Sequence, residues 1–463
     1  MPSPADTPDL LTNARLPRWL LARDWPAQNG QPELADIRIA NGLIHSIKPT
    51  AKTSGVSWDL AGALVLPPLV DAHTHLDKTF TVARLGTAKP GLLGAIEAMA
   101  RDRSSWTAQD VEKRAKQALQ WAYSAGVNHL RTHCDWWEAD ATPIAWNVLG
   151  ELADAWRDKL VLERVSLMPL HLFTDAKTAN ALAAKIAASG PQAKLGGFVH
   201  TTNWNAAALR HLFEAAAQHG LDIDLHMDEE LNPAACGLAT TAALAKDMSF
   251  AGHVVCGHNC ALSAQDESLA LGTLDAVAQT NITLVTLPMT NLLLQDAVTG
   301  RTPRQRGITL LKEAKARGIR VLMASDNVQD PFCHVGSYDP LEAFAAGVLA
   351  GQLEAPFDVW SESLCRADWL RGGPAAPPLQ PGNAADMLIF KNASAWSFPS
   401  RSSDRVVLRQ GQIISNQNQT QTAERCTPQP TAPSNTPLAM GDGRCNFNSK
   451  RNTWVTDGSG GSM

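Results

Sequence analysis

The stretch "LPPLVDAHTHLDK", Leu66 to Lys78, places two histidines two residues apart at the end of a short apolar run. In a β-strand, residues i and i+2 point to the same face, so His73 and His75 can aim their imidazoles at one point. Converging imidazoles are typical of a metal site, whose further ligands must come from other parts of the chain. The stretch therefore predicts a metal-binding strand end in a fold with several such strands.

Seven further apolar runs follow this stretch, and segments with helical spacing separate them. The runs end at or near His133, Pro169, His200, Asp228, His258, Pro288 and Asp326. Helical spacing with a glycine stop is found from Ala108 to Gly126, Ala206 to Gly220 and Ile308 to Gly318. Strands that alternate with helices over roughly 270 residues predict a (β/α)8 TIM barrel, which we assign to residues 66–370. A doubly wound open sheet is the alternative, but no GxGxxG motif follows the first strand.

Both ends of the remaining chain have β-hairpin patterns. "ADIRIANGLIHSI", Ala35 to Ile47, alternates around an Asn-Gly turn, and "RVVLRQGQIIS", Arg405 to Ser415, turns at Gly411. These patterns predict a small β-sandwich domain built from residues 1–65 and 371–415. Residues 416–463 are rich in Gln, Asn, Thr and Pro, which predicts a disordered tail without an assigned function.

Composition excludes several functional classes. The 463 residues have a net charge of −5, so no basic surface for nucleic acid or for an anionic membrane is expected. No apolar run of transmembrane length and no signal peptide is recognised, which predicts a cytoplasmic protein. The eight cysteines contain no CxxC motif. Cys256 and Cys260 flank His258, but such a pair is more often core packing than a zinc site.

Four residues at the strand ends form a plausible ligand set for one divalent cation: His73, His75, His226 and Asp326. The alternative is that each histidine is a satisfied core residue. That alternative is weak for His73 and His75, because of their spacing, and for Asp326, a carboxylate closing an apolar strand. It is preferred for His133 and His200, which have no assigned role.

Five motifs together resemble the amidohydrolase superfamily, in its cytosine deaminase branch. They are "VDAHTHLDKTFT", "LRTHCD", "DIDLHMDEE", "CGH" and "MASDNVQDPF", and the likeness extends from about residue 35 to residue 415. The resemblance implies a TIM barrel with a composite β-sandwich and one Zn²⁺ or Fe²⁺ per subunit. It also implies a small heterocyclic amine as substrate, and homo-oligomers are common among such enzymes.

The resemblance implies roles for individual residues. His73, His75, His226 and Asp326 match the metal ligands, and Asp326 would also accept a proton from the attacking water. Glu229 matches the carboxyl group that shuttles protons to the ring, and His258 matches the histidine that orients the water. Without these neighbours, Glu229 would be interpreted as a solvated loop carboxylate. The implied reaction is a hydrolytic deamination that releases ammonia from a cytosine-like aminopyrimidine or a related amino-heterocycle.

The residues expected to contact substrate depart from the cytosine deaminase pattern. Leu170 stands where a glutamine binds the pyrimidine amide edge, and His171 is the next candidate. Asn327 and Phe332 replace an aspartate and a tryptophan after the metal-binding aspartate. "DAHTHLDKTFT" and "ASDN" also resemble N-isopropylammelide amidohydrolase, although that enzyme lacks the position of Glu229.

Three alternative functions follow. An aminotriazine N-alkylamine hydrolase would share the ligand set. A cyclic-amide hydrolase commonly uses two metals bridged by a lysine at the end of strand four, but here that strand ends in Val199-His200, with Lys194 at its beginning. A non-catalytic barrel scaffold would be indicated by loss of a ligand or of the acid, and none is lost.

Overall fold

A closed barrel of eight parallel strands forms the centre of the chain in the computed structural model, which describes residues 9–51, 56–86, 88–372 and 377–414. The barrel strands are Leu69–Thr74, Val127–Asp135, Val161–Leu167, Ala193–Val199, Ile223–Met227, Val254–His258, Thr283–Thr286 and Arg320–Met323. Strand eight meets strand one where the backbone N–H of Asp326 donates to the carbonyl oxygen of His73 at 2.9 Å. The closure confirms the predicted barrel and excludes the open sheet.

Helices surround the barrel. The α-helices are Val82–Leu85, Leu92–Arg103, Ala108–Ala125, Ile144–Trp156, Ala176–Ala188, Ala206–His219, Gly237–Asp247, Glu267–Val277, Pro288–Leu294, Leu311–Ala316 and Pro340–Ala350. Shorter 3₁₀ turns occupy Arg18–Leu20, Leu170–Phe173, Thr201–Asn203, Cys260–Ala264, Ser361–Leu364 and Ala367–Leu370, and Pro356–Trp360 is a π-helical turn.

The sequence signals at the helix ends explain why the helices were predictable. The Thr107 side chain accepts a hydrogen bond from the Asp110 N–H at the start of Ala108–Ala125, and Gly126 ends that helix at a φ of 101°. Asn205 and Gly220 do the same for Ala206–His219. A side-chain cap satisfies an N–H that has no partner within the helix, and glycine accepts a left-handed φ without steric cost.

Two four-stranded sheets, built from segments before and after the barrel, form a second part of the fold. The first contains Leu10–Ala14, Ala35–Ala40, Leu43–Pro49 and Trp58–Asp59, and the second contains Leu64–Leu66, Met387–Phe390, Arg405–Arg409 and Gln412–Ile413. A further two-stranded sheet joins Ala27–Gln28 to Gln31–Pro32.

The two larger sheets share one apolar core, to which both ends of the chain contribute. Leu66 pairs with Leu388 in an antiparallel register, and Ile37 and Ile389 belong to the same buried cluster. Asn41 and Gly42 turn the first hairpin at φ values of 53° and 74°, as the Asn-Gly signal predicts. The composite β-sandwich is thus confirmed, while the boundaries at residues 65, 370 and 415 stay predictions and the expected tail, 416–463, lies outside the described residues.

Among the described residues, every helix is too short or too polar to cross a membrane.

Candidate active site

Three imidazoles and one carboxylate converge at the carboxyl end of the barrel. The Nε2 atom of His226 lies 3.1 Å from His73 Nε2 and 3.2 Å from His75 Nε2. Asp326 Oδ1 lies 3.2 Å from His75 Nε2 and 3.6 Å from His73 Nε2. Ligand atoms about 2.1 Å from a tetrahedral cation are about 3.4 Å apart, so these separations fit a single metal ion.

The backbone directs these side chains inward by local irregularities. The register between strands one and two shifts between Asp71 and Thr74, which marks a β-bulge beside His73. A bulge re-aims side chains at functional sites. Asp326 and His258 adopt left-handed φ values of 64° and 68°. Such conformations are strained in non-glycine residues and are held by surrounding structure, commonly at active sites.

Burial keeps the imidazoles neutral and therefore able to bind a cation. Burial is the largest cause that lowers the pKa values of His73, His75 and His226 well below their ordinary value, and neighbouring cationic groups lower them further. The pKa of Asp326 is raised by burial. Neither carboxylate oxygen of Asp326 has a hydrogen-bond partner among the described residues. Neutral imidazoles beside an unpartnered carboxylate form a donor set that fits a divalent metal.

Glu229 and His258 lie next to this cluster. Glu229 Oε1 is 3.5 Å from His258 Nδ1, and that nitrogen is also 3.1 Å from Asn291 Oδ1. Burial first, and repulsion by the Asp326 carboxylate second, raise the pKa of Glu229 well above its ordinary value. Glu229 is therefore a buried carboxylic acid that can donate a proton, and the solvated-loop interpretation does not fit its burial.

A pocket opens above the cluster, with a volume of about 570 Å³ including its open mouth. Its apolar lining residues are Leu92, Ile96, Met99, Trp137, Leu167, Pro169, Phe198 and Phe332. Its polar lining residues are His75, Lys78, Arg103, Asp135, His226, Glu229, His258 and Asn327. Apolar and polar residues line the pocket in equal number, but most of its exposed lining surface is apolar. Such a surface with convergent polar groups is typical of a site for a small ligand.

Comparison with known proteins identifies this architecture. A model of the amidohydrolase family matches residues 57–143 and 139–366, more than half of the chain. The chain belongs to the amidohydrolase family. The resemblance expected from the motifs is thereby confirmed.

Individual amidohydrolases are similar over most of their length. The chain is 38% identical over 412 residues to the pterin deaminase of Rhizobium rhizogenes, which covers 88% of this chain and 93% of the relative. It is 24% identical over 396 residues to the N-isopropylammelide isopropyl amidohydrolase of a Pseudomonas species, and the alignment covers 82% of this chain and 93% of that relative. The solved structure of 5-methylcytosine deaminase from Klebsiella pneumoniae has a TM-score of 0.73 at 22% identity and covers 88% of this chain and 97% of its own, which supports the fold.

Two of the four expected substrate contacts lie outside the pocket of this amidohydrolase. Asn327 and Phe332 line it, but Leu170 is completely buried in the hydrophobic core and the His171 side chain is exposed. The physical reason is that strand three ends at Leu167, so Leu170 and His171 already belong to the 3₁₀ turn that follows. The described pocket receives Leu167 and Pro169 from that part of the chain instead.

The loop after strand eight is organised by Asp330, which was not expected. Its carboxylate accepts hydrogen bonds from the side chain of Asn327 at 2.7 Å and from the backbone N–H groups of Phe332 and Cys333 at 2.8 and 3.1 Å. These bonds hold Asn327 and Phe332 at the pocket. The signal in the sequence was weak, because an aspartate three residues after an asparagine is common in loops.

Sequence reasoning also missed Lys78, Asp135 and Arg103 as pocket residues. Lys78 and Asp135 stand inside the quoted motifs "HTHLDK" and "LRTHCD", at the ends of strands one and two. Asp135 follows His133 by two residues and therefore lies on the same side of its strand, which was an available signal. Arg103 ends a helix and had no local signal.

His133 lies against the cluster, His200 packs on strand four, and Cys256 and Cys260 are buried. The His133 ring is 3.8 Å from the ring of His73, and its Nε2 is 3.5 Å from Asp224 Oδ1. His200 stacks on Phe198 with ring centroids 5.6 Å apart. Within the described residues, the groups with metal-binding spacing contain histidine and aspartate but no cysteine. Burial raises the thiol pKa of Cys256 and Cys260, which favours the core-packing interpretation.

Proposed function

We propose that this amidohydrolase is a metal-dependent deaminase of a 2-amino-4-oxopteridine (a pterin) or a closely related amino-heterocycle. The observation that carries the proposal is the convergence of His73, His75, His226 and Asp326 beside a buried acid, Glu229. The hydrolytic removal of an amino group needs a water, a base for that water and an acid for the ring, and these residues supply such a set.

The four converging residues would hold the divalent cation. When bound there, the cation supplies Lewis acidity, which lowers the pKa of a coordinated water from 15.7 to about 7. Whether Zn²⁺ or Fe²⁺ is the native ion is part of the proposal to be tested.

The direction of each proton transfer depends on whether Glu229 and Asp326 are protonated. Glu229 donates its proton to a ring nitrogen next to the amino-bearing carbon, which makes that carbon electrophilic. Asp326 accepts one proton from the attacking water and passes it to the departing nitrogen, and the remaining hydroxyl proton returns to Glu229. The C–N bond breaks with release of ammonia, and a C=O group replaces the C–NH₂ group. His258, held through Nδ1 beside Asn291, directs Nε2 to the site to orient the water. General acid and base steps of this kind contribute about 10²- to 10⁴-fold each.

A bicyclic substrate is favoured over cytosine by the sequence relation, and the pocket lining suits a flat heterocycle of either kind. The R. rhizogenes relative at 38% identity is a pterin deaminase, whereas the cytosine deaminase relation rests on a structural match at 22% identity. The apolar lining of the pocket includes Phe198, Trp137 and Phe332, which suit a flat ring system. Cytosine, the substrate class expected from the motifs, stays a candidate for the same chemistry.

An aminotriazine N-alkylamine hydrolase is the second candidate, because the Pseudomonas relative has that kind of activity. The buried Glu229, whose pKa is raised, favours the deaminase, since the motifs of that relative lack this acid. A cyclic-amide hydrolase is less favoured because strand four ends at Val199, and Lys194 pairs with Asp222 at the other end of the strand.

The test is an amine-release panel on the purified protein, with metal content measured in parallel. We expect near one equivalent of metal per chain and ammonia from 2-amino-4-oxopteridine, with cytosine, 5-methylcytosine and an N-alkyl aminotriazine as comparison substrates. Alkylamine from the triazine alone would support the second candidate, and ring opening of a cyclic amide without amine release would support the third. Bound metal without turnover of any of them would support a non-catalytic scaffold.

A further inference from the structure

A buried ion pair lines the pocket beside the metal ligands and has no part in the proton transfers above. Lys78 Nζ lies 2.6 Å from Asp135 Oδ1, and the two side chains are only 3% and 6% exposed. Removing both charges from water is costly, and a buried pair is often no more stabilising than apolar residues of the same size. An ion pair in a pocket whose exposed lining surface is mostly apolar therefore calls for a functional explanation.

The pair is held rigidly from behind. The Asp135 backbone N–H donates to Asp77 Oδ2 at 2.9 Å, and Arg114 donates to the carbonyl oxygens of Asp77 and Thr79 at 2.7 and 3.0 Å. The Lys78 ammonium also lies 5.2 Å from the ring centroid of Phe332, which lines the same pocket. These contacts fix the position of Lys78 and Asp135 before a ligand arrives, which is the requirement for selective binding.

The pair keeps unused hydrogen-bonding capacity that faces the pocket. Lysine has three N–H donors, and within the described part of the chain Asp135 is the single hydrogen-bond acceptor of Lys78. Burial lowers the pKa of Lys78, but the carboxylates of Asp135 and Asp77 outweigh it and hold that pKa above its ordinary value, so the ammonium stays charged. The second carboxylate oxygen of Asp135 is an acceptor. A donor and an acceptor thus stand side by side.

We propose that Lys78 and Asp135 bind the lactam edge of the substrate, the adjacent C=O and ring N–H groups of a 2-amino-4-oxo heterocycle. Lys78 donates to the carbonyl oxygen, and Asp135 accepts from the ring N–H. In such a ring the amino-bearing carbon adjoins this ring nitrogen on one side and a second, unprotonated nitrogen on the other. Binding the lactam edge at Lys78 and Asp135 therefore leaves the second nitrogen for Glu229.

The composition of the neighbouring strands three and four supports this assignment. Leu167 and Pro169, which line the pocket from the strand-three side, have side chains without hydrogen-bond donors or acceptors, and Phe198 from strand four is also apolar. The amide edge of a substrate would lose its hydrogen bonds to water there without compensation. The ends of strands one and two offer the charged pair instead. This inference rests on the proposed deaminase function and names its specificity-determining residues.

The experiment compares two substrates in two proteins. The substrates are 2-amino-4-oxopteridine and 2-aminopteridine, which lacks the carbonyl oxygen, and the proteins are the wild type and Lys78→Met. We expect the variant to lose about 10- to 100-fold in kcat/KM on the oxo substrate, as for one hydrogen bond from a charged donor, and less than about 3-fold on the other. For each substrate, the kcat/KM of the wild type is divided by that of the variant, and the two quotients are then compared. The intrinsic reactivity of each ring therefore cancels.

A matched control removes an ion pair elsewhere. Lys194 Nζ lies 3.1 Å from Asp222 Oδ2, and neither residue lines the pocket. Lys194→Met should therefore leave the substrate ratio unchanged. The double variant Lys78→Met/Asp135→Asn removes the buried unpaired carboxylate in case the single variant fails to fold. A third measurement needs no variant: pteridine-2,4-dione should inhibit the wild type at least about 10-fold more tightly than pteridin-2-one.

The outcomes separate the two proposals. If the wild type releases no ammonia from either aminopteridine, the pterin deaminase proposal fails and this inference with it. If the wild type deaminates the oxo substrate but Lys78→Met loses equal activity on both rings, or the two inhibitors bind equally, the deaminase stands and the lactam assignment is overturned.

Discussion

At the scale of single residues, the site depends on carboxyl groups whose protonation is set by burial. Glu229 and Asp326 are both buried, burial raises both of their pKa values, and the Asp326 carboxylate raises the pKa of Glu229 further. Two adjacent carboxyl groups cannot easily both be ionised, so one of them holds a proton that the reaction can use. Glu229, which is not a metal ligand, is the better proton donor of the two.

Glu229→Gln should therefore keep its metal and lose turnover by about 10²- to 10⁴-fold, because glutamine fills the same volume but cannot donate the proton. The measurement is kcat for ammonia release beside metal content per chain. The neighbouring Glu230, whose carboxylate bonds to Thr201, provides the control: Glu230→Gln should retain most of the activity. Turnover of Glu229→Gln within a few-fold of the wild type would remove Glu229 from the mechanism.

We expect the histidines to separate into metal ligands and a water-orienting group, and this division is testable. His226→Ala removes a nitrogen that lies 3.1 Å and 3.2 Å from two other ligands, so its metal content and turnover should both fall. His258→Ala should keep the metal and lose turnover by about 10²-fold or more. Metal analysis and ammonia release on both variants provide the measurement. A His258→Ala protein that is equally depleted of metal would make His258 a ligand as well.

At the residue scale, the sequence indicated the convergence of side chains where the signal was local, and the roles of those side chains stay predictions. His73 and His75 were recognisable because two residues in one strand share a face, and Asp326 because it closes an apolar run. Lys78 and Asp135 were missed as a pair because 57 positions separate them and only the parallel pairing of strands one and two brings them together. Leu170 and His171 were expected at the pocket because Leu170 matches the position of a glutamine in the cytosine deaminase pattern, but both belong to the 3₁₀ turn after strand three.

At the scale of elements, close contact between neighbouring strands positions the ligands. Gly257, in strand six, faces the ring of His73: a Cβ atom built on Gly257 would lie 2.9 Å from His73 Cε1 and 3.0 Å from His73 Nδ1. The strand therefore needs a residue without a side chain here, since any Cβ would displace the imidazole.

Gly257→Ala should shift His73 and lower metal affinity by about 10- to 100-fold, in the range seen when the groups that orient a ligand are disturbed. Competition with a chromophoric chelator measures the affinity. Gly272→Ala is the matched control: Gly272 lies in the helix Glu267–Val277 with open space around it, so the change should leave affinity intact and slightly raise stability. Unchanged affinity in Gly257→Ala would mean that strand six can move aside without cost.

Elements were predictable where their signals are short-range. The helices Ala108–Ala125 and Ala206–His219 match their predicted spans because caps and glycines mark their ends. The helix expected from Ile308 to Gly318 is shorter, Leu311–Ala316, and the Thr309 hydroxyl before it donates to the carbonyl oxygen of His258 at 2.6 Å. That tertiary contact holds residues before Leu311 at the active site, and no periodicity in the sequence can report it.

At the scale of the whole molecule, the barrel has an extensive apolar core that does not depend on the metal. A single buried cluster, which includes Leu119, Leu149, Phe213 and Phe344, joins the outer side of the strands to the helices. A separate apolar cluster includes Val255 and Leu322, and a buried ion network joins Arg131 to Glu163 and Asp224. The candidate metal site thus stands on a scaffold that folds mainly through apolar burial.

Removal of the metal should therefore lower thermal stability without unfolding the chain. A ligand that binds only the folded state stabilises it by RT ln(1 + [L]/Kd), about 2.7 kcal/mol at a free metal concentration of 100 Kd. We expect a chelator to abolish turnover and lower Tm by several degrees while the far-ultraviolet circular dichroism at 25 °C is retained, and added Zn²⁺ or Fe²⁺ to restore both turnover and Tm. His226→Ala, with a ligand already missing, should show a much smaller change in Tm when the chelator is added.

Loss of the dichroism signal on chelation would mean that the four ligands and their ion hold the barrel together. An unchanged Tm after verified metal loss would mean that the ion contributes nothing to folding. Either result would contradict a scaffold that assembles its ligands first and binds the cation afterwards.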